Sequence, residues 1–211
     1  MRIILFGKNG QVGKELYKSL KIKFDLHAFD RSSCNFEKLN DLRNKIIKIK
    51  PDIIINAAAY TKVDEAENNT ELAYKINSDA LKVIAIAANE IDALVIHYST
   101  DYVFNGRKKT PYKENDNLDP LSVYGKSKLS GENLLREYVR RHLILRTSWV
   151  VGLNGKNFVK TIIDLIKNKT EINVVNDQIG APTSSAFIAA STINIVERYL
   201  KDKDNFLFGT Y

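Results

Sequence analysis

Residues 2–13 read Arg2-Ile3-Ile4-Leu5-Phe6-Gly7-Lys8-Asn9-Gly10-Gln11-Val12-Gly13. Arg2 to Phe6 is a short apolar run rich in β-formers and predicts a strand. Gly7, Gly10 and Gly13 then fall on the junction with a helix predicted over residues 11–21. A docked pyrophosphate needs a tight turn, close backbone approach and free amides at a helix amino terminus. Glycine meets the first two needs because it has no Cβ. The spacing is G-x-x-G-x-x-G and departs from the usual G-x-G-x-x-G, so the flanking strand and helix carry as much weight as the glycines.

Working outward, short β-branched runs alternate with longer helical patterns. Strands are predicted at 24–29, 52–56, 94–98, 143–146, 172–175 and 206–208, and helices at 36–48, 73–89, 122–140, 157–168 and 184–200. Leu39, Leu42, Ile46 and Ile49 recur at helical spacing, and Pro51 stops that helix. Ile53-Ile54-Ile55 is apolar on both faces, as suits a strand covered on both sides. Right-handed crossovers then give an α/β fold with a doubly wound, Rossmann-like parallel sheet. Residues 1–150 are expected to form the dinucleotide-binding part, and 151–211 to complete the sheet with a small, incomplete substrate-binding region. The polar stretch from Asn105 to Pro120 is long enough to predict a functional loop.

Composition narrows the class. The 211 residues carry a formal charge of +7, 44% hydrophobic residues and one cysteine, Cys34. That excludes a disordered chain, a disulfide framework and a Cys-rich zinc site. The basic residues are scattered and no recognition motif accompanies them, so no nucleic-acid partner is expected. His27, His97 and His142 are isolated, and no metal is expected. No apolar run reaches the length of a membrane span, so a cytoplasmic protein with no membrane partner is expected.

Asp30 follows the second strand at the distance where a carboxylate accepts from the adenosine ribose hydroxyls, and this favours NAD. Arg31 beside it suits a 2′-phosphate and favours NADP, so either NADH or NADPH fits. Asn56-Ala57-Ala58-Ala59 ends the third strand with small side chains that allow close approach of a cofactor. Tyr124 and Lys128 lie four residues apart on a predicted helix, hence on one face. A free phenol is a poor acid–base group at neutral pH, and a nearby ammonium would favour its phenolate. Ser99 and Thr100 follow the fourth strand, where a hydroxyl can reach a substrate carbonyl at the sheet's carboxyl edge.

Longer segments run in order along nearly the whole chain: Asn56 to Thr61 with Val63 to Glu67, Tyr98-Ser99-Thr100-Asp101-Tyr102-Val103-Phe104, and Tyr124 to Lys128 with Gly131-Glu132. Arg146-Thr147-Ser148-Trp149, Asn157-Phe158 and Asp177 to Thr183 follow. With these, the chain resembles the extended short-chain dehydrogenase/reductases, in particular those that reduce nucleotide-sugar ketones. The resemblance implies hydride transfer from NADH or NADPH to the C4 ketone of dTDP-4-dehydro-β-L-rhamnose. It makes Tyr124 the proton donor, Lys128 its partner and Thr100 the group polarising the ketone. Asp101, Tyr102 and Trp149 would meet the sugar nucleotide. Gly7, Gly10, Gln11, Val12, Gly13, Asp30, Arg31, Asn35, Phe36, Ala58, Ala59, Tyr60 and Tyr98, with Tyr124 and Lys128, would line the cofactor. Asn35 departs from the acidic residue the family often has there. Members are longer than this chain, so part of the substrate site is expected beyond Tyr211, and a homodimer is compatible with the family. The alternative is a non-catalytic dinucleotide-binding subunit, similar to the regulatory subunit of methionine adenosyltransferase.

Overall fold

The computed structural model describes residues 1–168 and 170–211. The main sheet is parallel, with strands β1 (Arg2–Phe6), β2 (Asp25–Phe29), β3 (Ile53–Asn56), β4 (Leu94–Thr100), β5 (His142–Thr147) and a short edge strand, Gly209–Thr210. Their order is β2-β1-β3-β4-β5 followed by that edge strand. The chain moves one way from β1 to β2 and the other way from β1 through β3 to β5. The direction reverses between β1 and β3, and a crevice opens there at the carboxyl ends of the strands.

Helices cover both faces. On one side α1 (Gln11–Lys23) lies against a long C-terminal helix, Ser185–Lys201. Beneath them Ile3, Leu5, Ile53, Ile55, Leu94 and Ile96 form a buried layer. On the other side are α2 (Leu39–Ile49), α3 (Val63–Asn68), α4 (Thr70–Tyr74), α5 (Ala80–Glu90) and α6 (Val123–Tyr138). Ile4, Phe6, Ile54, Val95 and Ile144 face that layer. Alternate residues of each strand thus enter opposite cores, which is why the central strands read as unbroken apolar runs.

Several elements differ from the sequence expectation. The helix predicted at 73–89 is an α–π–α run, with a π turn at Lys75–Asp79 between α4 and α5. The helix predicted from residue 36 begins at Leu39, and α3 was not anticipated. No strand forms at 172–175; Val174 and Val175 are exposed and have no ladder partner. The last strand lies at Gly209–Thr210, while Phe206 and Phe208 pack on Tyr199. A second, two-stranded sheet pairs β6 (Val150–Val151) with β7 (Thr183–Ser184). Between them runs α7 (Phe158–Asn168), none of whose residues is buried. With these named, the C-terminal helix is α8 and the edge strand β8.

Candidate active site

The glycine turn is built as its spacing requires. Gly7 follows β1 with φ +81°, and a Cβ on it would stand 2.6 Å from the backbone of Ala57. A Cβ on Gly13 would lie 2.0 Å from the Gly7 carbonyl oxygen. The loops after β1 and β3 therefore touch through their backbones, and α1 starts hard against that contact. Gly10 caps α1 without any side-chain hydrogen bond, and no acidic residue occupies the first turn. The amides of that turn, with the positive end of the helix dipole, suit an anion. Val12 turns into the core under α1. Gln11 donates to the Val150 carbonyl at 3.2 Å and accepts from Asn157 at 2.9 Å, tying the glycine turn to the approach of α7.

Beside Gly7 lies a cavity of about 380 Å³ whose lining includes Asp30, Arg31, Asn35, Phe36, Ala58, Ala59 and Tyr60. Phe36 meets Phe6 edge-on at 5.3 Å, which fixes an apolar wall. The Asp30 carboxylate accepts from Ser32 at 2.6 Å, from the Ser33 backbone at 3.0 Å and from Asn9 at 3.0 Å. The hydrogen bonds from Ser32 and Ser33, with Lys8 nearby, hold its acidity far stronger than an ordinary carboxyl group's. Arg31 pairs with Glu37 at 2.8 Å, and most of its side chain is open to solvent. The cavity has the apolar wall, carboxylate and cation that an adenosine half requires.

Strand β4 delivers the polar edge. Thr100 is its last residue and Asp101–Val103 forms a turn of 3₁₀ helix. The Thr100 hydroxyl donates to Asp101 at 3.2 Å and accepts from the Tyr102 amide at 3.2 Å. Burial pushes the Asp101 carboxyl above its ordinary range. Helix α6 begins with Ser122 accepting from the Gly125 amide, a side-chain cap. Gly125 is obligatory in this packing, since a Cβ would meet the Tyr102 carbonyl oxygen at 2.2 Å. Tyr124 is thereby seated against Tyr102, edge-to-face at 5.5 Å.

Burial dominates at the Tyr124 phenol and pushes it up to about 12, with the neighbouring Thr100 hydroxyl acting in the opposite sense. This corrects the expectation that Lys128 brings the phenol toward neutrality. The Lys128 amine is spent elsewhere, on the Tyr98 carbonyl at 2.7 Å and His97 Nε2 at 3.0 Å. Burial lowers Lys128 itself to about 8, against an opposing pull from Glu132. Tyr98 offers only its backbone to this side; its side chain faces α8, where the hydroxyl meets Thr192 at 2.7 Å.

Trp149 follows β5 at the same carboxyl edge, with φ +42°, a strained conformation for a bulky residue. Its backbone accepts from Thr183, Ser148 donates to the Ala181 carbonyl, and a Cβ on Gly180 would strike its ring at 2.6 Å. The segments 146–149 and 177–183, far apart in sequence, are thus one unit. Arg146 joins another, reaching Glu132 at 2.7 Å, the Glu114 carbonyl at 3.0 Å and the Phe104 ring.

Sequence reasoning missed Asn77. From the π turn it accepts from the Tyr60 amide at 2.8 Å and donates to the Tyr60 carbonyl and to Ser127, bracing the cavity loop against α6. An amide after Ile76, within a predicted helix, was the available signal.

Known proteins share this sequence and fold. The family described as "RmlD substrate binding domain" matches residues 1–211. The dTDP-4-dehydrorhamnose reductase of Escherichia coli K12 is 47% identical over 209 residues, which are 97% of this chain and 70% of that protein. The crystal structure of dTDP-4-dehydrorhamnose reductase from Bacillus anthracis in complex with NADP superposes with a TM-score of 0.92 at 39% identity, covering 100% of this chain and 73% of that one. The Clostridium acetobutylicum reductase structure gives 0.92 at 38% identity with the same coverage.

Proposed function

The chain belongs to the RmlD substrate-binding-domain family, and from that premise we propose that it reduces the 4-keto group of dTDP-4-dehydro-β-L-rhamnose to give dTDP-β-L-rhamnose. NADPH or NADH supplies the hydride. The observation that carries the reading is the seating of Tyr124 beside Thr100, with Lys128 buried one turn along α6, at the carboxyl edge of the sheet.

The residues present fit a dinucleotide. The uncapped first turn of α1 would take the pyrophosphate, and the cavity at Asp30, Arg31 and Phe36 the adenosine. Thr100 would donate to the ketone oxygen, and Tyr124 would supply the proton that the oxygen takes up. A phenol raised to about 12 holds that proton throughout the neutral range, as a donor must. Asp101, Tyr102 and Trp149 are proposed to meet the sugar nucleotide. Trp149 is 41% exposed, which leaves its ring accessible for stacking. Residues 1–150 are proposed as the cofactor-binding part, and residues 151–211 as completing the sheet and carrying a share of the substrate region. A cytoplasmic location, a homodimer and the absence of a nucleic-acid partner belong to the same proposal. Among the described residues no helix is long and apolar enough to cross a membrane.

The test is NADPH oxidation on addition of dTDP-4-dehydrorhamnose, expected to proceed in stoichiometry with sugar reduced. Tight NADPH binding with no turnover would instead support the regulatory-subunit alternative.

A further inference from the structure

The charges around the adenosine cavity come in pairs. Four residues that line it are ionisable: Asp30, Arg31, Lys62 and Glu65. Lys62 Nζ meets both carboxylate oxygens of Glu65, at 2.9 and 2.8 Å, where α3 begins. Asp30 has Lys8 at 3.5 Å. Arg31 is joined to Glu37 through one terminal nitrogen at 2.8 Å. Each of these three cations therefore already has a carboxylate partner. Farther back on α2, Lys45 and Asp41 act on Cys34 in opposite senses.

The loop that carries Arg31 is closed on itself. The Cys34 amide donates to the Asp30 carbonyl at 2.8 Å, and the Glu37 amide donates to Asn35 Oδ1 at 3.0 Å. These bonds return the chain so that Glu37 stands beside Arg31, six residues on. NADPH differs from NADH only by a phosphate on the adenosine 2′ oxygen, which adds a charge of about −1.5 to −2 at neutral pH. The Asp30 carboxylate, kept ionised by Ser32 and Ser33, repels such a group. A guanidinium, with five N–H donors in a planar fork, is suited to hold it. Arg31 is that guanidinium, and Glu37 already occupies part of it.

We propose that Glu37 is a specificity-determining residue that competes with the 2′-phosphate of NADPH for Arg31, so that the site takes NADH at least as tightly as NADPH. A phosphate entering beside Arg31 has to share or displace the Glu37 carboxylate, which also repels it. NADH makes no demand on Arg31, and its free 2′ hydroxyl is a donor that Asp30 can accept. The Arg31 and Glu37 side chains are 74% and 37% exposed. An ion pair this open to water is weak, so the competition amounts to a few-fold in affinity. The inference names which dinucleotide the proposed site prefers. It rests on the cofactor reading of the cavity and is independent of the sugar.

The test is fluorescence titration of the whole chain with NADH and with NADPH, without sugar, in wild type and Glu37→Gln. Expected is a wild-type Kd for NADPH no smaller than that for NADH. Glu37→Gln should tighten NADPH about threefold and leave NADH unchanged. In an Arg31→Ala background the same substitution should bring no gain, because the competition runs through the guanidinium. With both dinucleotides still bound, four results overturn the proposal: a wild type that prefers NADPH, an unchanged ratio in Glu37→Gln, an equal loss of both dinucleotides in that variant, or a gain that survives Arg31→Ala. Binding of neither dinucleotide by the wild type overturns the cofactor reading itself, and the proposal with it.

Discussion

Tyr124 owes its protonation to burial and its orientation to packing on Tyr102. Tyr124→Phe keeps the ring and removes the proton, so turnover should fall by roughly 10²–10⁴ while NADPH affinity, read by fluorescence titration, stays unchanged. Arg31 lines the cavity beside Asp30 and is the cation proposed to meet a 2′-phosphate. Arg31→Ala should weaken NADPH binding by about tenfold and NADH binding far less. Equal losses for the two cofactors would remove Arg31 from that role. Both residues were legible in sequence, as a Tyr/Lys pair and as a basic residue after the second strand. Lys128 was legible as a participant, but the state of its amine was not. Its burial against His97 and the Tyr98 carbonyl, about thirty positions away in sequence, arises only once β4 and α6 assemble.

At the scale of elements, the joint between α6 and β5 is an ionic one. Glu132 is fully buried and takes Arg146 and Arg136, each at 2.7 Å. Removing one partner leaves the other charges uncompensated, so Glu132→Leu should cost on the order of 3 kcal/mol in denaturant unfolding. The arginines also hold the Glu132 carboxyl below its ordinary value of 4.5. A carboxyl group depressed in the folded state contributes stability that is complete above its unfolded pKa. The gap between wild type and Glu132→Gln should therefore narrow as pH falls below about 4.5. A gap constant from neutral pH into that acid range would contradict the assignment. Strands flanked by turns and apolar on both faces were readable from periodicity alone. The strand expected at 172–175 failed because β-branched residues extend only where a neighbour pairs with them. The π turn was invisible because a one-residue offset leaves the apolar pattern nearly intact while it swings Asn77 and Ser78 toward Ser127 and Ser130.

At the scale of the molecule, the reversal of strand order between β1 and β3 places the glycine turn, Ala57–Ala59 and the end of β4 along one edge. The topology follows from alternating strands and helices and from the handedness of crossovers, so it could be foreseen. The union of segments 146–149 and 177–183 around Trp149 could not, since neither segment has a periodic signal. The chain spans about 70% of the length of its Escherichia coli relative, and residues 1–211 hold the whole set of groups assigned here to hydride and proton transfer. Their joint action is tested most directly with NADPH carrying deuterium at its transferable position and dTDP-4-dehydrorhamnose as acceptor. The account predicts deuterium at C4 of the product sugar, formed roughly 10²–10⁴ times more slowly by Tyr124→Phe. NADPH bound at the glycine turn with no label reaching C4, or equal label transfer by the wild type and that variant, would contradict it.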